Sequence, residues 1–477
     1  MAPRYDLVIV GMGSAGMPAA EFAATLPLRV AIVERDRAGG DCLWTGCVPS
    51  KALLAASRAA HTMRTGHRWG LPVLDPEIDT AAVWSRVRAV RAEIAATDDD
   101  PARFARLGVE VIKGEATVTG PHEVTVGERR LRTRFVLVCT GSRPATPPID
   151  GLDEVAHLTN EDVFELDRAP ASLVVVGGGP VGVEMAQAMA RLGVDTTILQ
   201  RGDRLLAREE PELADRMTTI LRADGVDVRL GVDAARLSLD TTGRKAVQWI
   251  GQLGVRQVAA DEVLLAVGRT PNVEGLGLEE LGVGIGAHGV VVDDRMRTTV
   301  PSVYAAGDVN GRARFTHAAA HQAVRAIRDM FFPGTGKASA LVPWCTFTDP
   351  SLAHAGLTSV EARLEHGPDV EVHRVELARS DRARADGSTE GVMIAVTARG
   401  QLVGAHLLAP EAGEVIHELA LAMHVGVKLT DLASLVHVYP TISTSVGQMA
   451  AEAAYARASR YHWLVRAGRW ASRLRRR

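Results

Sequence analysis

The sequence predicts an α/β fold. Three observations predict it: a strand–glycine turn–helix–strand unit near the N-terminus, a second copy of that unit in register, and strand–helix alternation after residue 340. In the first copy, residues 5–10 are an apolar run that enters Gly11-Met12-Gly13-Ser14-Ala15-Gly16 and an alanine-rich stretch. A second apolar run, 28–33, closes on Glu34. Glycines so placed let the backbone approach a pyrophosphate at a helix N-terminus, and an acid at that distance can accept from a ribose hydroxyl. In the second copy, residues 173–176 enter Gly177-Gly178-Gly179-Pro180-Val181-Gly182, and a run at 196–199 ends at Gln200. Gly177 follows Gly11 by 166 residues, and Gln200 follows Glu34 by the same 166. One such fingerprint is a weak signal. Two in register predict two Rossmann-like dinucleotide-binding domains in one chain.

A length of 477 residues leaves room for about three domains. The net charge of −3 gives no bias toward nucleic acid, and none is expected as a partner. No secretory signal is expected ahead of the first strand, and no uncharged apolar run is long enough to predict a transmembrane helix. The expected location is cytoplasmic. Four cysteines are too few for a secreted disulfide scaffold, so a close pair points to chemistry. No resident metal is expected.

That pair lies in residues 39–51, GGDCLWTGCVPSK, as Cys42 and Cys47. A continuous helix would hold their Cα atoms roughly 8–9 Å apart. A disulfide tolerates at most about 7 Å, so a bridge requires the backbone between them to leave the helix. Gly46 gives that freedom, and Pro49 suits the first turn of a restarting helix. Cys47 would then sit at a helix N-terminus with Lys51 one turn on, and both favour a thiolate.

Helix continues over 52–64. A second helix spans 81–96, with Val83, Val87, Val90 and Ile94 as its core stripe. Asp98-Asp99-Asp100-Pro101 ends it. Residues 109–134 alternate like a β-meander, and 135–139 form a buried strand that ends at Thr140-Gly141-Ser142-Arg143-Pro144, with Cys139 in the core. Residues 144–148 mark a linker.

Residues 39–51 resemble the redox-active segment of the FAD-dependent pyridine nucleotide–disulfide oxidoreductases. That family includes dihydrolipoamide dehydrogenase, glutathione reductase and mercuric reductase, and the resemblance runs to about residue 455. It implies a discontinuous FAD domain (1–145 and 270–335), an inserted NAD(P) domain (146–269) and an α+β dimerisation domain (340–455) that completes the partner's site in a homodimer. Flavin contacts are implied at Gly11, Gly13, Ser14, Gly16, Glu34, Gly40, Lys51, Ala116, Thr140, Gly141, Asp308 and Thr316. Nicotinamide nucleotide contacts are implied at Gly177, Gly179, Gly182, Gln200, Arg201 and Gly268.

The implied electron path runs from NAD(P)H through FAD to a Cys42–Cys47 disulfide. Cys47 is the flavin-side thiol and Cys42 the exchange thiol, with Lys51 near the flavin and paired to Glu184. The replacement of Glu34 by Gln200 in the second copy, followed by Arg201 and Arg204, favours NADPH over NADH, while Gly182 at the last glycine runs against it.

The sequence departs from the family near its end. Reductases of lipoamide and glutathione carry His-Pro-Thr there with a Glu beyond. Here residues 437–444 read HVYPTIST, so Tyr439 replaces the catalytic His and Thr444 the Glu. Tyrosine titrates near ~10 and is a poor base at neutral pH but a usable donor. His437, two positions earlier on the same face of an extended segment, is the other candidate acid–base group. A tyrosine resembles the mercuric-reductase branch, yet no cysteine follows Cys345 to relay a metal. The expected function is therefore a flavoprotein disulfide reductase with a disulfide or soft-metal acceptor. Alternatives are an NAD(P)H:quinone reductase with direct flavin transfer, a dihydrolipoamide dehydrogenase, and a membrane-docked redox sensor. The last rests on residues 461–477, where Trp463, Ala467, Trp470 and Leu474 form one helical stripe among arginines, suited to peripheral contact with an anionic membrane face. Trp44 matches none of the three named relatives.

Overall fold

The computed structural model describes residues 4–251, 254–332, 334 and 340–459. It divides into two compact units: residues 1–63, 75–205 and 221–340, and residues 64–74, 206–220 and 341–477.

The first unit contains two parallel sheets. In one, the strand order is Glu110–Lys113, Val30–Glu34, Tyr5–Val10, Arg129–Val138, Val303–Ala305. In the other it is Asp227–Leu230, Asp195–Gln200, Ser172–Val176, Glu262–Leu265. The orders match strand for strand over four members, as the registered glycine turns predict. Parallel strands are covered on both faces and so read as unbroken apolar runs. Leu7, Val8 and Ile9, and Leu173, Val174 and Val175, are all buried. Val303–Ala305 joins the first sheet only after the whole second sheet has passed in sequence.

Three local readings change. Glu110–Lys113 belongs to the parallel sheet, and only Ala116–Gly120, Glu123–Val126 and Arg129–Val138 form the meander. Periodicity over four residues cannot separate these cases. The helix Thr80–Ala95 buries Trp84, Val87 and Arg91, so its stripe is rotated from the valine reading. Trp84 and Arg91 can be buried because each finds a partner: Trp84 Nε1 donates to Val163 O at 2.9 Å, and Arg91 bonds Glu165. The Asp-Pro break is also a start, since Asp100 caps the helix Pro101–Arg106 by accepting from Ala102 N.

The second unit is α+β. Its antiparallel sheet runs Trp344–Thr346, Ser351–Gly356, Gln401–Ala409, Val392–Ala398, Val370–Glu376. The helices Ala412–Val425 and Thr444–Ser459 bury Val415, Ile416, Leu419, Val446 and Met449 in its core. The basic tail stripe lies outside the described residues. Among the described residues no helix is long and apolar enough to cross a membrane.

Candidate active site

The two glycine turns are built alike. Gly11 and Gly177 have φ of +102° and +113°, and a Cβ on either would overlap the carbonyl of Cys139 or Ala266 on the neighbouring strand. A Cβ on Gly16 or Gly182 would overlap the carbonyl of the first glycine of its own turn. The middle glycines differ. Gly179 has φ −79° and no atom within 4 Å of its Cβ position, and Gly13 meets only Gly40 Cα at 3.6 Å. Packing does not require glycine at these two places. They leave open the space that a pyrophosphate needs.

Glu34 accepts from Met12 N through Oε2 and from Asp36 N through Oε1, each at 2.7 Å. Its counterpart Gln200 accepts from Gly178 N at 2.8 Å and donates through Nε2 to Arg204 O at 3.2 Å. Arg201, next along, is exposed. Gly114 N donates to Glu34 O at 2.9 Å, two residues before the strand that begins at Ala116.

A second layer closes around Asp308. Thr140 and Asn272 exchange hydrogen bonds of 2.8 and 2.9 Å. Asn272 N donates to Gly141 O, and Gly268 (φ +133°) opens the strand Arg269–Pro271. Ser142 Oγ donates to Asp308 Oδ2 at 2.6 Å. Burial raises the Asp308 pKa, and the Ser142 hydrogen bond and Arg269 oppose that rise.

The cysteines sit beside this layer. Cys42 lies in the helix Gly40–Trp44, and Cys47 is the first residue of the helix Cys47–Arg64. The break falls at Thr45-Gly46, where the spacing argument needs it. Gly46 is required for a close approach and not for its φ: a Cβ would stand 2.9 Å from Asp41 O. Both cysteines are free thiols, and Thr316 Oγ1 lies 3.4 Å from each sulfur. The pair is strongly polarised. The Cys47 pKa is lowered to about 6 by the hydrogen bond from Cys42, against burial, with Thr316 and Lys51 assisting. Cys42 is pushed far up, first by that same bond and then by burial. The favoured state is thus a Cys47 thiolate held by a Cys42 thiol. Lys51 Nζ bonds Glu184 Oε2 at 2.9 Å, so the residues paired from two separate motifs do meet.

In the second unit, His437 and Tyr439 face different ways. The segment holding them is not a strand, so the shared face read from sequence does not exist. The His437 side chain is 9% exposed, with Nε2 3.0 Å from Glu418 Oε1. Its ring fills the space over Gly447, where a Cβ would stand 2.7 Å from Nδ1. Tyr439 is 69% exposed and donates to Asp381 Oδ2 at 2.9 Å, a bond that raises its pKa further. Thr444 donates to Thr441 O and plays no part in orienting either group. Sequence reading missed Glu418, Asp381, Ser142 and Arg91. All four lie far along the chain from the groups they hold, and only Arg91 left a trace, as a charge in the phase of an apolar face.

The comparisons agree with this architecture. Residues 5–323 match the family model described as pyridine nucleotide-disulphide oxidoreductase, and residues 342–450 match its dimerisation domain. The chain is 37% identical over 458 residues to a mercuric reductase of Streptomyces lividans, covering 93% of this chain and 94% of that one. It is 32% identical over 461 residues to a dihydrolipoyl dehydrogenase of Chlorobaculum tepidum, covering 95% and 98%. It is also 32% identical over 457 residues to a glutathione reductase of Burkholderia cepacia, covering 92% and 97%. Among solved structures, the HOCl-induced flavoprotein disulfide reductase RclA from Escherichia coli superposes with a TM-score of 0.82 at 29% identity, covering 94% of this chain and 99% of that one. The chain therefore belongs to the class I pyridine nucleotide–disulfide oxidoreductases, a family of FAD- and NAD(P)H-binding flavoprotein reductases with a dimerisation domain.

Proposed function

We propose that this chain, as a homodimer, is an NAD(P)H-dependent flavoprotein disulfide reductase whose Cys42–Cys47 pair hands electrons to a disulfide or a soft metal cation. The observation that carries the reading is the pair itself. Both sulfurs lie 3.4 Å from one threonine hydroxyl, on the segment that carries a lysine whose carboxylate partner comes from the second nucleotide motif. The space left by Gly13 and Gly179 supports nucleotide binding at both turns. Gly11, Gly13, Ser14, Gly16, Glu34, Gly40, Ala116, Thr140, Gly141, Asp308 and Thr316 would hold FAD. Gly177, Gly179, Gly182, Gln200, Arg201 and Gly268 would hold the nicotinamide nucleotide. Bound FAD supplies the two-electron relay between the nicotinamide and the disulfide.

The protein's own part is thiol chemistry. As Cys42 sulfur attacks an acceptor disulfide it gives its thiol proton to the departing acceptor sulfur, so that one S–S bond forms, one breaks and one acceptor thiol leaves. The Cys47 thiolate then attacks Cys42 sulfur, releases the second acceptor sulfur as a thiolate that water protonates, and restores the Cys42–Cys47 bridge. Tyr439 is the C-terminal group on display, and it acts as a donor. His437 is an anchor. A soft cation suits this site because it takes both sulfurs as thiolates and needs no general base for an attack on sulfur. The mercuric reductase among the relatives supports that acceptor class.

NADPH is favoured over NADH. Gln200 spends its amide on Gly178 N and Arg204 O and offers no carboxylate to a ribose, while Arg201 stands ready for a 2′-phosphate. The test is turnover of the FAD-loaded protein with each nucleotide against disulfides, Hg(II), Cu(II) and quinones. Loss of activity in Cys42→Ser supports the relay. Unchanged quinone turnover in that variant would favour direct transfer from the flavin.

A further inference from the structure

A buried arginine grips the segment between the two cysteines. Gly40–Trp44 is a helix, and the carbonyls at its end need donors. Were the helix to continue, the Trp44 carbonyl would accept from Val48 N, and the Thr45 carbonyl would face Pro49, which has no N–H. Side chains supply these donors instead. Arg91 Nη1 donates to Trp44 O at 2.7 Å, and Asn160 Nδ2 donates to Thr45 O at 3.1 Å. Arg91 is 4% exposed, and its Nη1 also meets Glu165 Oε1 at 2.6 Å. Its helix is fixed to the same loop through Trp84 on Val163 O and Arg88 on Leu166 O, both at 2.9 Å. Trp44 itself is locked: Nε1 donates to Ala38 O at 2.7 Å, and the Arg37 guanidinium lies 4.3 Å from the ring centre. Trp44 thus packs as part of a clamp.

We propose that Arg91 is a positioning residue for the Cys42–Cys47 couple, and that its hold on the Trp44 carbonyl favours the disulfide over the dithiol. The inference rests on reading that pair as the redox couple. A bridge needs the two Cα atoms within about 7 Å, and a continuous helix would separate them by roughly 8–9 Å. Closing the one helical bond from Val48 N to Trp44 O, which Pro49 does not block, is open to the dithiol and closed to the disulfide. Arg91 competes with Val48 N for the Trp44 carbonyl, so the relaxation costs the dithiol that short hydrogen bond. The couple is disulfide plus two electrons plus one proton, giving the Cys42 thiol and the Cys47 thiolate. Loosening the clamp stabilises the right-hand side and raises the midpoint potential.

The experiment equilibrates FAD-loaded wild type and Arg91→Met anaerobically with reduced and oxidised dithiothreitol at neutral pH. Free thiols are trapped with a maleimide, and the peptide carrying residues 42 and 47 is weighed. The expected shift in Arg91→Met is about tenfold toward dithiol, equivalent to about 30 mV. Glu165→Gln, at a half-exposed side chain, removes the charge that orients Arg91 and should shift the ratio in the same direction by less. It serves if Arg91→Met fails to hold FAD. An unchanged ratio in a loaded variant overturns the inference. A wild type in which no couple titrates at this peptide would instead overturn the proposed function.

Discussion

Lys51 Nζ lies 2.9 Å from Glu184 Oε2, joining the helix that begins at Cys47 to the helix that begins at the second glycine turn. The Glu184 side chain is 7% exposed and that of Lys51 is 36% exposed, so the ion pair is buried on its acidic side. Lys51→Met removes the Glu184 ion pair and a cation that lowers the Cys47 pKa. The expected outcome is a rise in the Cys47 pKa and a loss of about 10²-fold in NAD(P)H-dependent turnover, the scale seen when one electrostatic stabiliser is removed. Stopped-flow reduction and the pH dependence of alkylation check both parts.

Cys47 should be reactive well below the pH where an ordinary thiol is. With its pKa lowered to about 6, the thiolate is present above that pH and is lost as pH falls through it. Iodoacetamide labelling of Cys47 in the reduced protein should therefore reach half its maximal rate near pH 6. Thr316→Val removes one hydrogen bond to that thiolate and should move the midpoint upward.

Arg201→Ala should raise KM for NADPH by about 10-fold to 100-fold, the loss of a charged hydrogen bond, and leave KM for NADH nearly unchanged. Gln200→Glu should move preference the other way. Steady-state kinetics with both nucleotides decides this. Equal effects on the two would mean that Arg201 does not meet the 2′-phosphate.

His437 and Tyr439 should separate by assay. His437→Ala breaks the contact with Glu418 and should cost about 1–2 kcal/mol of stability, with kcat of the folded protein within threefold of wild type. Tyr439→Phe should lower turnover and leave Tm unchanged, because the Tyr439 side chain is exposed. Thermal melts alongside kcat test the assignment, and a kcat collapse in His437→Ala with unchanged Tm would reverse it.

The nucleotide units were legible because their physics is local. A positive φ at Gly11 and Gly177, and the backbone approaches at Gly16 and Gly182, force glycine at fixed spacing, and apolar strands flank each turn. The split between Cys42 and Cys47 was legible from local geometry too, since a continuous helix is incompatible with a bridge between them and Gly46 and Pro49 mark the break. The Lys51–Glu184 pair came from resemblance of two motifs, and no spacing rule would have joined residues so far apart. The polar clamps were not legible. Arg91 stands in the phase of an apolar face and is buried because Glu165 and the Trp44 carbonyl satisfy it. His437 turns inward because Glu418 and the gap over Gly447 await it, and neither is visible from the loop's own sequence.

Anaerobic titration of the FAD-loaded protein with NADPH and then NADH, followed in the visible spectrum, tests the central claim most directly. The expected result is a two-electron step that produces long-wavelength thiolate-to-flavin absorption, that is absent in Cys47→Ser, and that NADPH drives at lower concentration. Direct bleaching of the flavin without that absorption would contradict it, because the cysteine pair would then lie off the electron path.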